Sequence, residues 1–123
     1  MEIWKRVRLE IRPNVFRDYP YFVSNMGRIK NVQGHVLKPW KRGQRNGTYL
    51  CVDLCLNGTK KRIDLQRLVA LHFVPNPKHK PEVNHWNMDP FDNRAENLEW
   101  CTRSENEKHK HFMTGCFDVP VTV

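Results

Sequence analysis

The side chains able to do chemistry gather in residues 81–111, PEVNHWNMDPFDNRAENLEWCTRSENEKHKH, where His85 is surrounded by Asn84, Asn93, Asn97 and Asn106. A histidine titrates near neutral pH and can take a proton from water. The amide oxygen of asparagine is a hard ligand that suits a cation such as magnesium. A base beside one divalent ion meets the needs of phosphodiester hydrolysis, in which water must be activated and the charge growing on the leaving oxygen stabilised. Asn84 and Asn106 are the candidate ligands for one Mg2+ or Mn2+. Both are uncharged, so they are expected to hold the ion weakly until phosphate oxygens complete its shell, which would couple metal binding to DNA binding. The same residue types also serve plainer ends. Asn-His in a loop is commonly a turn, and Asn93, Asn97 and Asn106 can cap turns or helices.

The elements around these residues give the chemical reading a geometry. Val83 to Trp86 forms a short strand that carries His85 near its end, a polar loop holds Pro90, and Leu98 to Cys101 forms a second strand. Thr102 with Glu105 makes a capping box, with Ser104 and Glu107 as a rival pair, and the helix that follows should run to about Met113 with Gly115 as its stop. Strand, loop, strand and helix then bring His85 against the first helical turn, which carries Asn106. Upstream, TYLCVDLCLNGTKKRIDL is a hairpin. Leu50, Val52, Leu54 and Leu56 share a core face, Tyr49, Cys51, Asp53 and Cys55 share the other, and Asn57-Gly58 makes the turn. Residues 64–73 form a helix capped by Asp64, with Leu65, Leu68, Val69 and Phe73 as its apolar stripe and His72 beside it. Pro75 and Pro77 end it. Residues 2–8 read as an opening strand, followed by a loop with Pro13, Asp18 and Pro20. YFVSNMGRIKN reads as strand, turn, strand, and PWKRGQRNG as a loop. The expected class is α+β, with short antiparallel strands and hairpins in the N-terminal half and a ββα unit at the C-terminal end.

A chain of 123 residues fits one compact domain or two very small modules. Its net charge of +8 is unevenly spread: residues 1–62 hold 14 Lys/Arg against 4 Asp/Glu, and residues 63–123 hold 7 against 9. A basic half suits a polyanion, because each phosphate it neutralises releases counterions. Cys51, Cys55, Cys101 and Cys116 lack the paired spacing of a zinc site and are expected as reduced thiols. The sequence has neither a membrane-length apolar run nor a signal-peptide core, so the expected location is cytoplasmic, in a bacterial host if the gene is a phage's.

Residues 65–111 resemble the HNH (His-Me finger) nucleases found as phage and intron homing endonucleases, through RLVALHFVPNP, VNH, FDNRAENLEWCT and SEN followed by KH. Residues 2–31 resemble the DNA-binding module that often precedes that nuclease, through EIWK and YFVSNMGRIKN. The resemblance implies His85 as general base, Asn84 and Asn106 as metal ligands, and Asn97 as the middle asparagine that helps position the base, with Asn93 a rival for that place. Gln66 stands where the family often has histidine, and Asn87 where many relatives have aspartate. Some relatives have aspartate at Asn84, and Asp89 or Asp92 would have to supply any carboxylate the site needs. The implied organisation is a DNA-binding module over 1–48, a nuclease domain over 49–116 and a tail over 117–123. Arg28, Lys30, Lys38, Lys41, Arg42, Arg45, Lys60, Lys61 and Arg62 are the candidate phosphate contacts. The implied activity is metal-dependent cutting of double-stranded DNA, a monomer nicking one strand and a dimer cutting both. The alternatives are a DNA-binding protein with a vestigial site, or a nuclease subunit of a larger phage DNA-processing machine.

Overall fold

The fold is seen in a computed structural model, which describes residues 1–44 and 47–113, with the backbone alone for 44, 47 and 110–113. Arg45, Gly115 and Cys116, each singled out above, lie outside the described residues. Among the described residues, three antiparallel sheets and two α-helices make an α+β fold. The first sheet has the order β1-β2-β3, with β1 at Trp4–Arg12, β2 at Val15–Ser24 and β3 at Ile29–Asn31. The second has the order β4-β5-β6, with β4 at Trp40–Gln44, β5 at Gly47–Leu56 and β6 at Thr59–Asp64. Helix α1 (Leu65–Phe73) follows, then the hairpin of β7 (Glu82–His85) and β8 (Leu98–Cys101), and last α2 (Arg103–Met113).

Helix α1 is the hub. It packs on β2, β5, β6, β7 and β8, and Leu65, Leu68, Val69 and Ala70 are buried among Val7, Leu9, Tyr19, Val23, Ile29, Val52, Leu54 and Leu98. Each large aliphatic side chain so buried contributes about 1.5–3 kcal/mol. The expected boundary at residue 48 falls inside β5, and the core draws on residues from both sides of it.

Two stretches expected as loops are strands. The segment with Pro13, Asp18 and Pro20 is a long β1–β2 hairpin, whose turn uses Asn14 at a φ of 63°. Pro20 is tolerated because the register shifts between Arg6 and Arg8, and β3 pairs only with Tyr21 to Val23. The apolar-poor segment at 40–44 is edge strand β4, held by backbone pairing with β5 rather than by a buried face. The Asn57-Gly58 turn is as expected, with φ of 51° and 78°.

Asp64 sits at the N-cap of α1 but makes no side-chain cap bond. Its carboxylate instead takes Arg42 Nη2 at 2.8 Å and lies 3.0 Å from Cys51 Sγ. Helix α2 does begin with the expected capping box: Thr102 N donates to Glu105 Oε1 at 2.9 Å, and Glu105 N to Thr102 Oγ1 at 3.1 Å. Cys51 and Cys101 are buried free thiols and Cys55 is an exposed one. No described helix is long and apolar enough to cross a membrane.

Candidate active site

His85 ends β7 opposite Leu98 and is only 6% exposed. Its Nε2 lies 2.7 Å from Asn93 Oδ1. The Asn93 amide nitrogen faces Pro90 O at 3.4 Å, which turns its oxygen to the ring. An amide oxygen can only accept, so Nε2–H donates and Nδ1 keeps the lone pair. Burial pushes the pKa of His85 below its ordinary value, outweighing the Asn93 bond and the nearby Asp89 and Asp92. That shift favours the neutral ring, the form able to accept a proton. The Tyr49 ring lies within 22° of parallel to it, with centroids 6.3 Å apart.

The loop between β7 and β8 holds this arrangement, and Asn97 acts on it from inside the loop. That side chain does not reach His85. It accepts from Asn87 N at 3.1 Å and donates to Asn87 Oδ1 and Asp92 O, both at 2.9 Å, because it enters β8 from a 3-10 turn facing the inside of the loop. Asn93, the rival, is the residue at the ring. Asp89 and Asp92 also serve the loop: Asp89 Oδ1 accepts from Phe91 N at 2.9 Å, and Asp92 takes Arg94 Nε at 2.8 Å. The Arg94 guanidinium holds the Asp92 carboxyl at a pKa of about 2. Neither carboxylate has been recruited by Asn84 or Asn106.

The loop is braced by the first sheet. Ala95 N donates to Asn25 O at 2.8 Å. Gly27, at a φ of 84°, lies so close that a Cβ there would sit 3.0 Å from the carbonyl carbon and oxygen of Asn93. The turn of the SNMGRIKN segment thus buttresses the residue that holds the His85 ring.

The two candidate metal ligands share a different setting. Glu82 and Asn84 stand two residues apart on β7, so they project from one face. Asn84, 4% exposed, donates its amide nitrogen to Glu99 Oε1 at 3.0 Å across the hairpin. Asn106, on the first turns of α2, donates its amide nitrogen to Glu82 Oε1 at 3.0 Å. The Oδ1 atom of Asn106 is buried without a hydrogen-bond partner, a costly state that a bound cation would relieve. These residues fit a hard divalent ion. Among the described residues no three His, Cys, Asp or Glu side chains converge, so asparagine oxygens and water would have to form much of its shell. Glu82 and Glu99 escaped the sequence reading. Their signal was the period of two, which places Glu82 beside Asn84, and the pairing of β7 with β8, which a sequence does not display. Burial, with Glu82, Glu99 and Glu105 nearby, pushes the Cys101 thiol on this face up to about 11.

The expected phosphate contacts separate into groups. Lys38, Lys41, Lys60, Lys61 and Arg62 are exposed. Lys41 Nζ lies 5.4 Å from the centre of the Phe91 ring, beside the loop that holds His85. Arg62 covers Trp40, 4.7 Å from its ring centre, and lies 3.6 Å from an Asp53 carboxylate oxygen. Arg28 is bound to Glu2 (Nε to Oε2 2.9 Å), and Lys30 sits over Trp4 at 4.1 Å. Arg42 is the exception: half-buried and bidentate to Asp64, it is part of the scaffold. Arg8 and Arg67, not singled out from the sequence, line with Lys61 and Arg62 a groove of about 850 Å³ that does not include His85. On α2, His109 stacks on Trp86 with centroids 4.5 Å apart.

Residues 64–108 match the family model described as HNH endonuclease. Two proteins of Acanthamoeba polyphaga mimivirus, each described as an uncharacterized HNH endonuclease, are similar to the chain. One is 43% identical over 111 residues, covering 88% of this chain and 26% of that protein. The other is 38% identical over 89 residues, covering 72% and 26%. The chain thus spans about a quarter of the length of these relatives. A solved structure reported as DNA binding and cleavage by the HNH homing endonuclease I-HmuI superposes with a TM-score of 0.70 at 26% identity, covering 92% of this chain and 59% of that one.

Proposed function

Residues 64–108 carry an HNH endonuclease unit, and from that premise we propose that this chain hydrolyses phosphodiester bonds of double-stranded DNA, with His85 as general base and one divalent cation, Mg2+ or Mn2+, at Asn84 and Asn106. The observation that carries the reading is the ring of His85, buried and tied at Nε2 to Asn93 Oδ1. That bond fixes the tautomer, so Nδ1 can take a proton from water as the water oxygen attacks phosphorus. One P–O bond forms, the bond to the leaving oxygen breaks, and the leaving oxygen gains a proton. The cation would supply positive charge to that oxygen. Asn93 keeps the ring from turning, and the loop tied by Asn97, Asn87 and Asp92 keeps Asn93 in place. Lys41, with Lys38 and Lys60 to Arg62, supplies exposed positive charge for the phosphate backbone.

A chain with one such site nicks one strand per binding event, and a dimer or two successive nicks would cut both. The test is supercoiled plasmid incubated with the protein and Mg2+ or Mn2+, against the same mixture with chelator. Open circles should form only with metal, and His85→Ala should stop their formation while leaving DNA affinity nearly intact. Unchanged plasmid despite tight binding, or full activity of His85→Ala, would overturn the reading.

A further inference from the structure

The cation site has neighbours that the proposed ligands alone do not explain. Glu82 and Glu99 are half-buried, and among the described residues neither forms a salt bridge with Lys, Arg or His. Half-buried carboxylates without a direct ion-pair partner are less favourable than paired ones. Each accepts the amide nitrogen of one candidate ligand, Glu99 from Asn84 and Glu82 from Asn106, both at 3.0 Å. An amide whose nitrogen faces a carboxylate turns its oxygen elsewhere. Asn106 Oδ1 is buried and unbonded, and Asn84 Oδ1 accepts no hydrogen bond from the described residues.

We infer that Glu82 and Glu99 are positioning residues of the cation site: each fixes one asparagine amide with its oxygen free for the ion, and together they bring negative charge that lets the protein hold a divalent cation before DNA arrives. The inference rests on Asn84 and Asn106 being the ligands. It reverses the expectation from two neutral ligands, under which the ion waits for phosphate. Hydrogen bonds from outer residues orient ligands and tune affinity at metal sites in general. Here the cation would be a direct positive partner for two half-buried carboxylates that have none within salt-bridge distance among the described residues. A plain tie between β7 and α2 would need only an acceptor for the Asn106 amide, with no charge.

Glutamine in place of glutamate separates the two, because it keeps an acceptor of the same shape and loses the charge. The experiment is Mn2+ titration of the full chain without DNA, followed by electron paramagnetic resonance of free Mn2+, with thermal unfolding of each variant alongside. The unsubstituted chain should bind one Mn2+. Glu99→Gln and Glu82→Gln should each weaken binding about tenfold, and the double variant more, with melting temperatures little changed. No Mn2+ binding by the DNA-free chain, or unaltered affinity in both glutamine variants, overturns the inference. Plasmid nicking by the unsubstituted chain is scored separately. If nicking is metal-dependent while Mn2+ affinity ignores both glutamates, the inference falls and the nuclease reading stands. If Mn2+ binds as expected and the plasmid stays intact, the nuclease reading falls.

Discussion

Gly27 lies against Asn93, the residue bonded to His85, and Gly27→Ala should reveal that contact. Two costs add. The backbone there has a φ of 84°, and a Cβ in this left-handed region costs about 1–2 kcal/mol. The new Cβ would also sit 3.0 Å from the carbonyl carbon and oxygen of Asn93, and crowding of that kind adds about 1–3 kcal/mol unless the loop retreats. Retreat moves Asn93, whose Oδ1 holds His85 Nε2 at 2.7 Å. Gly34 is the matched control: its φ is 89°, and a Cβ there would meet nothing within 4 Å. Gly34→Ala should therefore cost only the backbone term, about 1–2 kcal/mol, and leave cutting unchanged. Gly27→Ala should be less stable than Gly34→Ala in urea unfolding. Its metal-dependent nicking rate should fall by roughly a hundredfold, the order expected when a catalytic group is misplaced by about an ångström. Equal stabilities and equal rates for the two variants would refute the idea that this turn positions the base.

Asn93→Ala should slow nicking by roughly a hundredfold with a modest loss of stability, because it frees the ring of His85. Asn97→Ala should cost on the order of 2–3 kcal/mol of stability for three lost loop bonds and slow nicking less than Asn93→Ala does, because it reaches the ring only through the loop, and measuring rate and unfolding for both variants tells the two roles apart. Asp92 has a folded pKa of about 2, set first by its bond to Arg94. A depressed carboxyl pKa adds stability that is fully present above its ordinary value of 3.8 and is lost as pH falls toward 2. Urea unfolding across that window should show the loss, and Asp92→Asn should flatten the profile there. Arg42→Ala should lower the urea midpoint by breaking the bidentate pair with Asp64 while leaving the salt dependence of DNA binding nearly intact. Lys41→Ala should do the reverse, reducing the slope of log affinity against log salt by about 1.

Much of this protein can be read from its sequence because local rules govern it. Asn57-Gly58 dictates a hairpin turn, Thr102 with Glu105 dictates a helix start, and the spacing of Leu65, Leu68 and Val69 dictates a buried helical stripe, since each depends only on near neighbours. The histidine, the asparagines around it and the family strings are equally local. What escaped depends on partners far along the chain. β4 and the stretch of the β1–β2 hairpin around Pro13, Asp18 and Pro20 are strands because other strands pair with them, whereas the ends at residues 2–8 and 21–23 were legible from their own side chains. Asp64 looks like a cap and is an ion-pair partner because folding brings Arg42 to it across the sheet. The sequence by itself determined that His85 could be a base and that Asn84 and Asn106 could hold a cation. Only the tertiary structure decided that Asn93 rather than Asn97 meets the ring, and that Glu82 and Glu99 stand behind the asparagines. Those contacts depend on the path of a folded loop and on the register between two strands, which the spacing of residues along the chain does not specify.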